Sequence, residues 1–199
     1  MPTLYLMRHG QTEYNLQKLV QGQCDSPLTE LGRAQARQAA QWYIDHDVHI
    51  GYACSSPLGR AHSTLEIVLA EVPTFAEVPH ADEPGIIERS YGIYEAGPVS
   101  NMPITPWNTH DMLADCGGDR ELEARARIVE ALTRTMDERP GEDILAVAHG
   151  AIITQFKLAW EDHARCPQDV YLDNCSILIF DYDPATQTFS NREIVNPCA

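Results

Sequence analysis

Apolar residues along this chain form two patterns, short unbroken runs and longer stretches in which they recur at helical spacing. The unbroken runs predict buried strands at residues 3–7, 48–54, 144–148 and 174–180. Helical spacing predicts helices that begin near Thr29, Pro57, Asp119 and Ile152. Strands that alternate with helices in this way predict an α/β fold: a three-layer α/β/α sandwich around a mostly parallel central sheet.

Particular residues refine the first two helices. Thr29 is suited to the N-cap of a helix. The buried face that follows is predicted at Ala36, Ala39, Ala40 and Tyr43. Pro57 is suited to the first turn of the next helix, which would let Arg60 point back toward the end of the preceding strand.

The second half of the chain shows the same alternation. Its first helix, ending near Arg139, is predicted to bury Leu122, Val129, Leu132 and Met136. Residues 188–195 predict a last strand, paired with the strand at 174–180 through a turn at Asp183-Pro184.

Residues 72–118 are rich in proline and lack periodicity, which predicts loop rather than core. We interpret the chain as one domain, residues 1–199, with a loop-rich cap insertion around residues 93–118. Met102, Ile104 and Trp107 make this insertion more apolar than a solvated loop. Two interpretations stay open: a cap over a substrate pocket, or a subunit contact in a homodimer.

Composition narrows the class of protein. Apolar content of 44% and charged content of 22% are ordinary for a globular enzyme. A formal charge of −15 argues against nucleic acid or an anionic membrane as a partner, because such surfaces demand clustered Lys and Arg. No membrane-span or signal-peptide pattern is seen, so we expect a cytoplasmic protein. Six irregularly spaced cysteines predict reduced thiols, and no spacing supports a metal site.

Candidate chemistry lies where two apolar runs end. The first run stops at Arg8-His9-Gly10, and the run at 144–148 stops in the same way at His149-Gly150. Ligands of parallel α/β sheets bind beyond the carboxyl ends of the strands. If the two strands are neighbours, both histidines meet beside Arg8 in a crevice suited to an anion. A surface turn explains either motif alone but not the repetition.

Short motifs follow one another along nearly the whole chain. In order they are Arg8-His9-Gly10-Gln11-Thr12 with Asn15, Gln21-Gly22, Asp25-Ser26-Pro27-Leu28-Thr29, Gly32 with Gln35, Ser55-Ser56-Pro57-Leu58-Gly59-Arg60-Ala61 with Thr64, Glu88-Arg89 with Tyr91-Gly92, Gly117-Gly118, and His149-Gly150. With these motifs in this order, the chain resembles the histidine phosphatase superfamily, also called the phosphoglycerate mutase-like family.

The resemblance implies a phosphoryl-transfer site that uses no metal. His9 would be the nucleophile, with its other ring nitrogen held by a backbone carbonyl. Arg8, Arg60 and His149 would bind the phosphate oxygens. Glu88 would be the general acid that protonates the leaving group. The expected substrate-binding residues are Asn15, Gln21, Gly22, Tyr91, Gly150 and Ala151.

Three functions stay open at this point. The leading one is a phosphomonoester hydrolase that forms a phosphohistidine intermediate, acts on a small phosphorylated metabolite and needs no cofactor. The second is a phosphoglycerate mutase that depends on 2,3-bisphosphoglycerate. Against it, residues 92–118 contain no Arg or Lys, and Ala151 stands where mutases tend to carry Asn. The third is a phosphate-binding module without turnover, which a carboxylate at Glu88 would only weaken.

Overall fold

The computed structural model describes residues 1–103 and 110–198. Within these residues six strands form: β1 Thr3–Arg8, β2 Tyr52–Ser55, β3 His80–Asp82, β4 Ile144–Ala148, β5 Ile177–Asp183 and β6 Thr188–Val195. The α-helices of the same residues are α1 Glu13–Gln17, α2 Glu30–Asp45, α3 Gly59–Glu71, α4 Glu121–Asp137 and α5 Gly150–Ala159.

The strands form one sheet in the order β3-β2-β4-β1-β5-β6. β3, β2, β4 and β1 are parallel, whereas β5 is antiparallel to both of its neighbours. Side chains alternate across β1: Leu4 and Leu6 share an apolar cluster with α4 and α5, and Tyr5 and Met7 share another with α2 and α3. Helices therefore cover both faces of the sheet, which confirms the predicted three-layer α/β fold.

Helix α2 forms as its sequence predicts. The Thr29 hydroxyl accepts the backbone N–H of Gly32 at 2.9 Å and so caps the helix. The predicted buried face is confirmed, because Ala36, Ala39, Ala40 and Tyr43 are all buried.

Helix α3 begins later than predicted. Its first residue is Gly59, so Pro57 lies before the helix rather than in its first turn. The carboxylate of Asp25 accepts the backbone N–H groups of Gly59 at 2.7 Å and of Arg60 at 3.3 Å. The cap of α3 therefore comes from a distant part of the chain, which local sequence does not reveal.

The predicted buried face of helix α4 is confirmed at Leu132 and Met136 and is wrong at Leu122. Leu132 and Met136 are buried and Val129 is partly buried, but Leu122 is 68% exposed. The core side of the helix instead runs through Ala124 and Ile128. Leu122 lies two positions before Ala124, and residues two apart on a helix do not share a face.

Two strands are shifted from their predicted limits. β2 begins only at Tyr52, although Val48 and Ile50 before it are buried in the core. β5 begins at Ile177, shortly after Cys175, whose left-handed φ of 63° lies outside the extended range of a regular strand. The final hairpin is confirmed, since β6 pairs antiparallel with β5 over residues 188–195.

The predicted insertion consists largely of short 3₁₀ segments in its described parts: Gly92–Tyr94, Val99–Asn101 and His110–Cys116. Met102 and Leu113 are buried in an apolar cluster that also contains Tyr91. Ile104 and Trp107 lie outside the described residues, so both interpretations of the insertion stay predictions. No helix in the described part of the chain is long and apolar enough to cross a membrane.

Candidate active site

Two histidines meet at one edge of the sheet. β1 and β4 are parallel neighbours, with Arg8 in register with Ala148. His9 and His149 directly follow these strands, and their ring centroids lie 5.2 Å apart with the rings inclined at 60°. The repeated strand-His-Gly motif therefore creates one juxtaposition at the carboxyl ends of two central strands.

The ring of His9 has one fixed orientation. It is 2% exposed, and its Nδ1 lies 2.7 Å from the carbonyl oxygen of Gly10. A carbonyl only accepts, so Nδ1 carries the proton and Nε2 keeps its lone pair. Burial, together with the charges of Arg60 and Arg8, holds the pKa of His9 well below its usual range. The neutral imidazole is thus the stable form near pH 7.

Arg60 lies fully buried in the first turn of α3. Its Nη2 donates to the Gly22 carbonyl at 2.7 Å and its Nη1 to the Cys24 carbonyl at 2.8 Å. Nη1 also lies 3.2 Å from a carboxylate oxygen of Asp25. The guanidinium is therefore anchored by main-chain carbonyls, so less of its planar fork is available to a phosphate than the sequence suggests.

His149 contacts Arg60 rather than the open cavity. Its Nδ1 accepts the Nε–H of Arg60 at 3.1 Å, so in the neutral ring Nε2 carries the proton and donates to Ser56 Oγ at 2.7 Å. Burial and the charge of Arg60 keep the pKa of His149 well below its usual range. These contacts differ from the predicted direct donation to phosphate, because both ring nitrogens are already engaged.

Glu88 lies at the N-terminus of α5. Its carboxylate accepts the backbone N–H groups of Ile152 at 2.8 Å, Ala151 at 3.1 Å and Arg89 at 2.9 Å. Burial raises the pKa of Glu88, and these N–H donors and Arg60 oppose the rise. Incoming negative charge would raise this pKa further.

These groups surround a cavity of about 120 Å³. It is lined by Arg8, His9, Asn15, Leu19, Val20, Gln21, Gly22, Arg60, Glu88, Tyr91, Val99 and Gly150. Arg8 is 7% exposed, and its Nη1 donates to the Leu172 carbonyl at 2.7 Å. A second cavity of about 640 Å³ adjoins the first and shares Arg8 and Asn15 with it.

The lining includes most of the predicted substrate-binding residues, but not Ala151, whose N–H is bound to Glu88. Asn15 has a second task, since its backbone N–H and side chain form a reciprocal capping box with Thr12. Gln21 accepts the Thr12 hydroxyl at 2.9 Å. These side chains therefore hold the loop after β1 as well as lining the cavity.

Sequence reasoning gave no role to Ser56, Asp25 or Glu95. Ser56 and Asp25 lie inside the quoted motifs, so their positions were visible although their contacts with His149 and Arg60 were not. Glu95 carries no motif signal. In the described ranges, no group of three or more His, Cys, Asp or Glu side chains is arranged to hold a metal ion.

The fold and the site together define an α/β sandwich that buries a histidine pair and two arginines at the carboxyl edge of its sheet, where His9, Arg8 and Arg60 line a small cavity. The sequence profile of the histidine phosphatase superfamily, branch 1, matches residues 4–194. The chain belongs to this superfamily.

Individual relatives show how the family is represented. The chain is 31% identical over 154 residues to the uncharacterized phosphatase PhoE of Bacillus subtilis (strain 168), a match that covers 77% of this chain and 74% of that protein. It is 30% identical over 198 residues to the probable phosphoglycerate mutase GpmB of Escherichia fergusonii, a match that covers 92% of this chain and 86% of that protein. The solved structure of Bacillus stearothermophilus YhfR superposes with a TM-score of 0.83 at 27% identity, and the match covers 99% of this chain and 100% of that structure.

Proposed function

We propose that this protein hydrolyses phosphomonoesters of small metabolites through a phosphohistidine intermediate on His9. The observation that carries the proposal is the buried neutral ring of His9, held through Nδ1 so that Nε2 keeps its lone pair beside Arg8 and Arg60. A mere binding site has no need of a fixed, unprotonated nucleophile. Family membership and relatives named as phosphatases agree with this assignment.

In the first half-reaction, His9 Nε2 attacks phosphorus and the P–O bond to the alcohol breaks. Arg8 and Arg60 stabilise the charge on the equatorial oxygens. The leaving alkoxide takes its proton from Glu88, whose raised pKa favours the protonated acid.

In the second half-reaction, water attacks the phosphorus of phosphohistidine. Glu88, now a carboxylate, takes a proton from that water, and the P–N bond breaks. Inorganic phosphate and neutral His9 are the products, so the cycle closes without a net change in the enzyme. Every proton has a donor or acceptor among these side chains, so we propose a mechanism without metal or cofactor.

His149 has an indirect role in this proposal. Its Nδ1 accepts from Arg60 Nε, which orients the guanidinium. A protonated ring would turn this acceptor into a donor and repel Arg60. Its lowered pKa keeps the acceptor in place at neutral pH.

The second cavity is proposed to hold the alcohol part of the substrate. Amide side chains of Gln11, Gln17 and Asn174 line it, and its charged groups are Arg8, Lys18 and Asp173. A polar, hydrogen-bonding alcohol fits this lining better than an apolar one.

The test is to trap the intermediate. Protein incubated with a ³²P-labelled phosphomonoester and quenched in alkali should carry labelled phosphohistidine, and His9→Ala should carry none while keeping its far-UV circular dichroism. An unlabelled wild-type protein that still releases phosphate would disprove the covalent route. Turnover of 3-phosphoglycerate to its isomer only when 2,3-bisphosphoglycerate is added would instead favour the mutase, as the name of the relative GpmB suggests.

We keep three predictions about the setting of this activity: a cytoplasmic location, no nucleic-acid partner, and a homodimer as the alternative use of residues 93–118. Cell fractionation and light scattering of the purified protein test the first and the last.

A further inference from the structure

Glu95 lies just beyond the site and takes an unusual number of hydrogen bonds. Its Oε1 accepts the backbone N–H of Tyr91 at 2.9 Å, the backbone N–H of Gln23 at 3.1 Å and the hydroxyl of Ser90 at 3.1 Å. Its Oε2 accepts the backbone N–H of Cys24 at 3.2 Å. One carboxylate thus binds four donors from two separate segments of the chain.

Both segments contribute residues to the lining of the phosphate cavity. Residues 21–24 supply Gln21 and Gly22 to its lining, and residues 88–91 supply Glu88 and Tyr91. A further hydrogen bond joins the same segments, from the Gln23 side chain to the Glu88 carbonyl at 3.1 Å. Glu95 therefore ties these two segments of the lining to each other.

Close packing at Gly22 shows how tightly Glu95 is seated. Gly22 has a left-handed φ of 55°, and a Cβ at this position would lie 2.3 Å from Glu95 Oε1. Only glycine allows both this backbone conformation and this approach. The Gly22 carbonyl, thus placed, accepts Arg60 Nη2, and the neighbouring Cys24 carbonyl accepts Nη1.

We propose that Glu95 is a positioning residue for Arg60: by binding the N–H groups of Gln23 and Cys24, it holds the carbonyls of Gly22 and Cys24 where they anchor the guanidinium against the phosphate. The kinetic part of this inference rests on the proposed function, whereas the phosphate-binding part does not. Glu95 itself does not line the phosphate cavity, so it acts through the loop and not on the substrate.

Calorimetric titration with inorganic phosphate tests the inference without turnover. In Glu95→Gln the amide nitrogen cannot accept from an N–H, so one of the two acceptor atoms is lost, and the remaining amide oxygen carries no charge. Phosphate should therefore bind about tenfold more weakly. The matched control is Glu123→Gln on α4, where the carboxylate is 74% exposed and the phosphate affinity should stay within about twofold. Unchanged affinity in folded Glu95→Gln would overturn the proposal.

A double-mutant cycle separates positioning from general loss of structure. In an Arg60→Met background, Glu95→Gln should change phosphate affinity by less than about twofold, because the group it acts through is gone. An equal loss in both backgrounds would show that Glu95 does not act through Arg60. If Arg60→Met does not fold, amide hydrogen exchange decides: Glu95→Gln should speed exchange at Gln23 and Cys24 and leave β4 unchanged, and uniform acceleration would refute the proposal.

Steady-state kinetics add a distinct readout. Weaker phosphate anchoring should lower kcat/KM about tenfold for both nitrophenyl phosphate and an alkyl phosphate, because Arg60 acts on the phosphate and not on the leaving group. If the wild-type protein binds phosphate but hydrolyses no ester, the proposed function fails while the calorimetric result still decides the role of Glu95.

Discussion

At His9, removal from water and the positive charge of Arg8 and Arg60 act in the same direction, and both disfavour an imidazolium. At Glu88, burial and the surrounding N–H donors act in opposite directions, and burial prevails. The same pocket therefore favours a neutral nucleophile and shifts Glu88 toward the protonated form, and these are the directions that ester cleavage needs.

The role of Glu88 predicts a dependence on the leaving group. Glu88→Gln should slow an alkyl phosphate about a hundredfold, because an alkoxide cannot leave without a proton. Nitrophenyl phosphate, whose leaving group is stable as an anion, should slow less than about tenfold. Single-turnover rates on the two esters make the comparison. Equal slowing of both would rule out the acid role.

The buried histidines predict how stability depends on pH. The pKa values of His9 and His149 lie well below 6.5 in the folded protein, so between those values and 6.5 the unfolded chain binds more protons. The contribution of these two histidines to the free energy of unfolding should be constant above about pH 6.5. Below that pH it should fall by up to about 1.4 kcal/mol per pH unit for each histidine. Urea unfolding at a series of pH values measures this slope. His149→Gln should make it shallower; an unchanged slope would contradict the buried neutral ring.

At the scale of elements, helix α2 supports the loop that carries His9. Its first turn touches this loop so closely that a Cβ on Gly32 would lie 2.0 Å from the Gln11 carbonyl oxygen, and a Cβ on Gly10 would lie 2.4 Å from the Gly32 carbonyl oxygen. Two backbones meet here with no room for a side chain, so the position of the nucleophile depends on the position of the helix.

This contact predicts that Gly32→Ala impairs both stability and turnover. The added methyl group should push the loop away and lower the free energy of unfolding by about 1–3 kcal/mol, with a fall in kcat. Arg33→Ala is the control, since Arg33 is on the same helix with its side chain 42% exposed and should change stability by less than about 0.5 kcal/mol. Urea melts and nitrophenyl phosphate assays measure both. Normal kcat in Gly32→Ala would disprove the support role.

Much of this architecture could be predicted from the sequence, because apolar periodicity is a local signal. The core strands, the Thr29 cap and the meeting of His9 with His149 follow from patterns a few residues long. Contacts made across the chain could not be predicted in this way. β3 is a three-residue exposed edge strand with no apolar run to reveal it, and Asp25 caps a helix 34 residues away. Which nitrogen of His149 meets Arg60 depends on ring orientation, which no motif encodes.

At the scale of the whole molecule, the formal charge of −15 opposes the approach of a phosphate dianion that the buried arginines then bind. At 0.1 M salt, interactions between exposed charges more than roughly 10 Å apart are largely screened, whereas those between buried charges are screened far less. Long-range repulsion should therefore weaken with added salt before contact attraction does.

The expected result is a kcat/KM for a dianionic ester that rises as ionic strength increases from about 0.01 M to about 0.1 M. A solvent-viscosity series identifies a substrate whose kcat/KM is limited by association, which is the condition for this test. A steep fall in kcat/KM over the same salt range would show that the local field of the arginines extends well beyond the cavity.

The sheet register has a bearing on synthesis by the ribosome. β1 is made first, yet its partners in the sheet are β4 and β5, so Leu4 lies in register with Ile144 and with Phe180. The backbone carbonyl of His9 likewise accepts a hydrogen bond from the side-chain amide of Asn174, which is synthesised much later. A nascent chain that ends before β4 and β5 already contains His9 but lacks the strands that bury it. Contacts of such long sequence separation slow folding, and chemical competence should appear only after β5, Ile177–Asp183, has been synthesised.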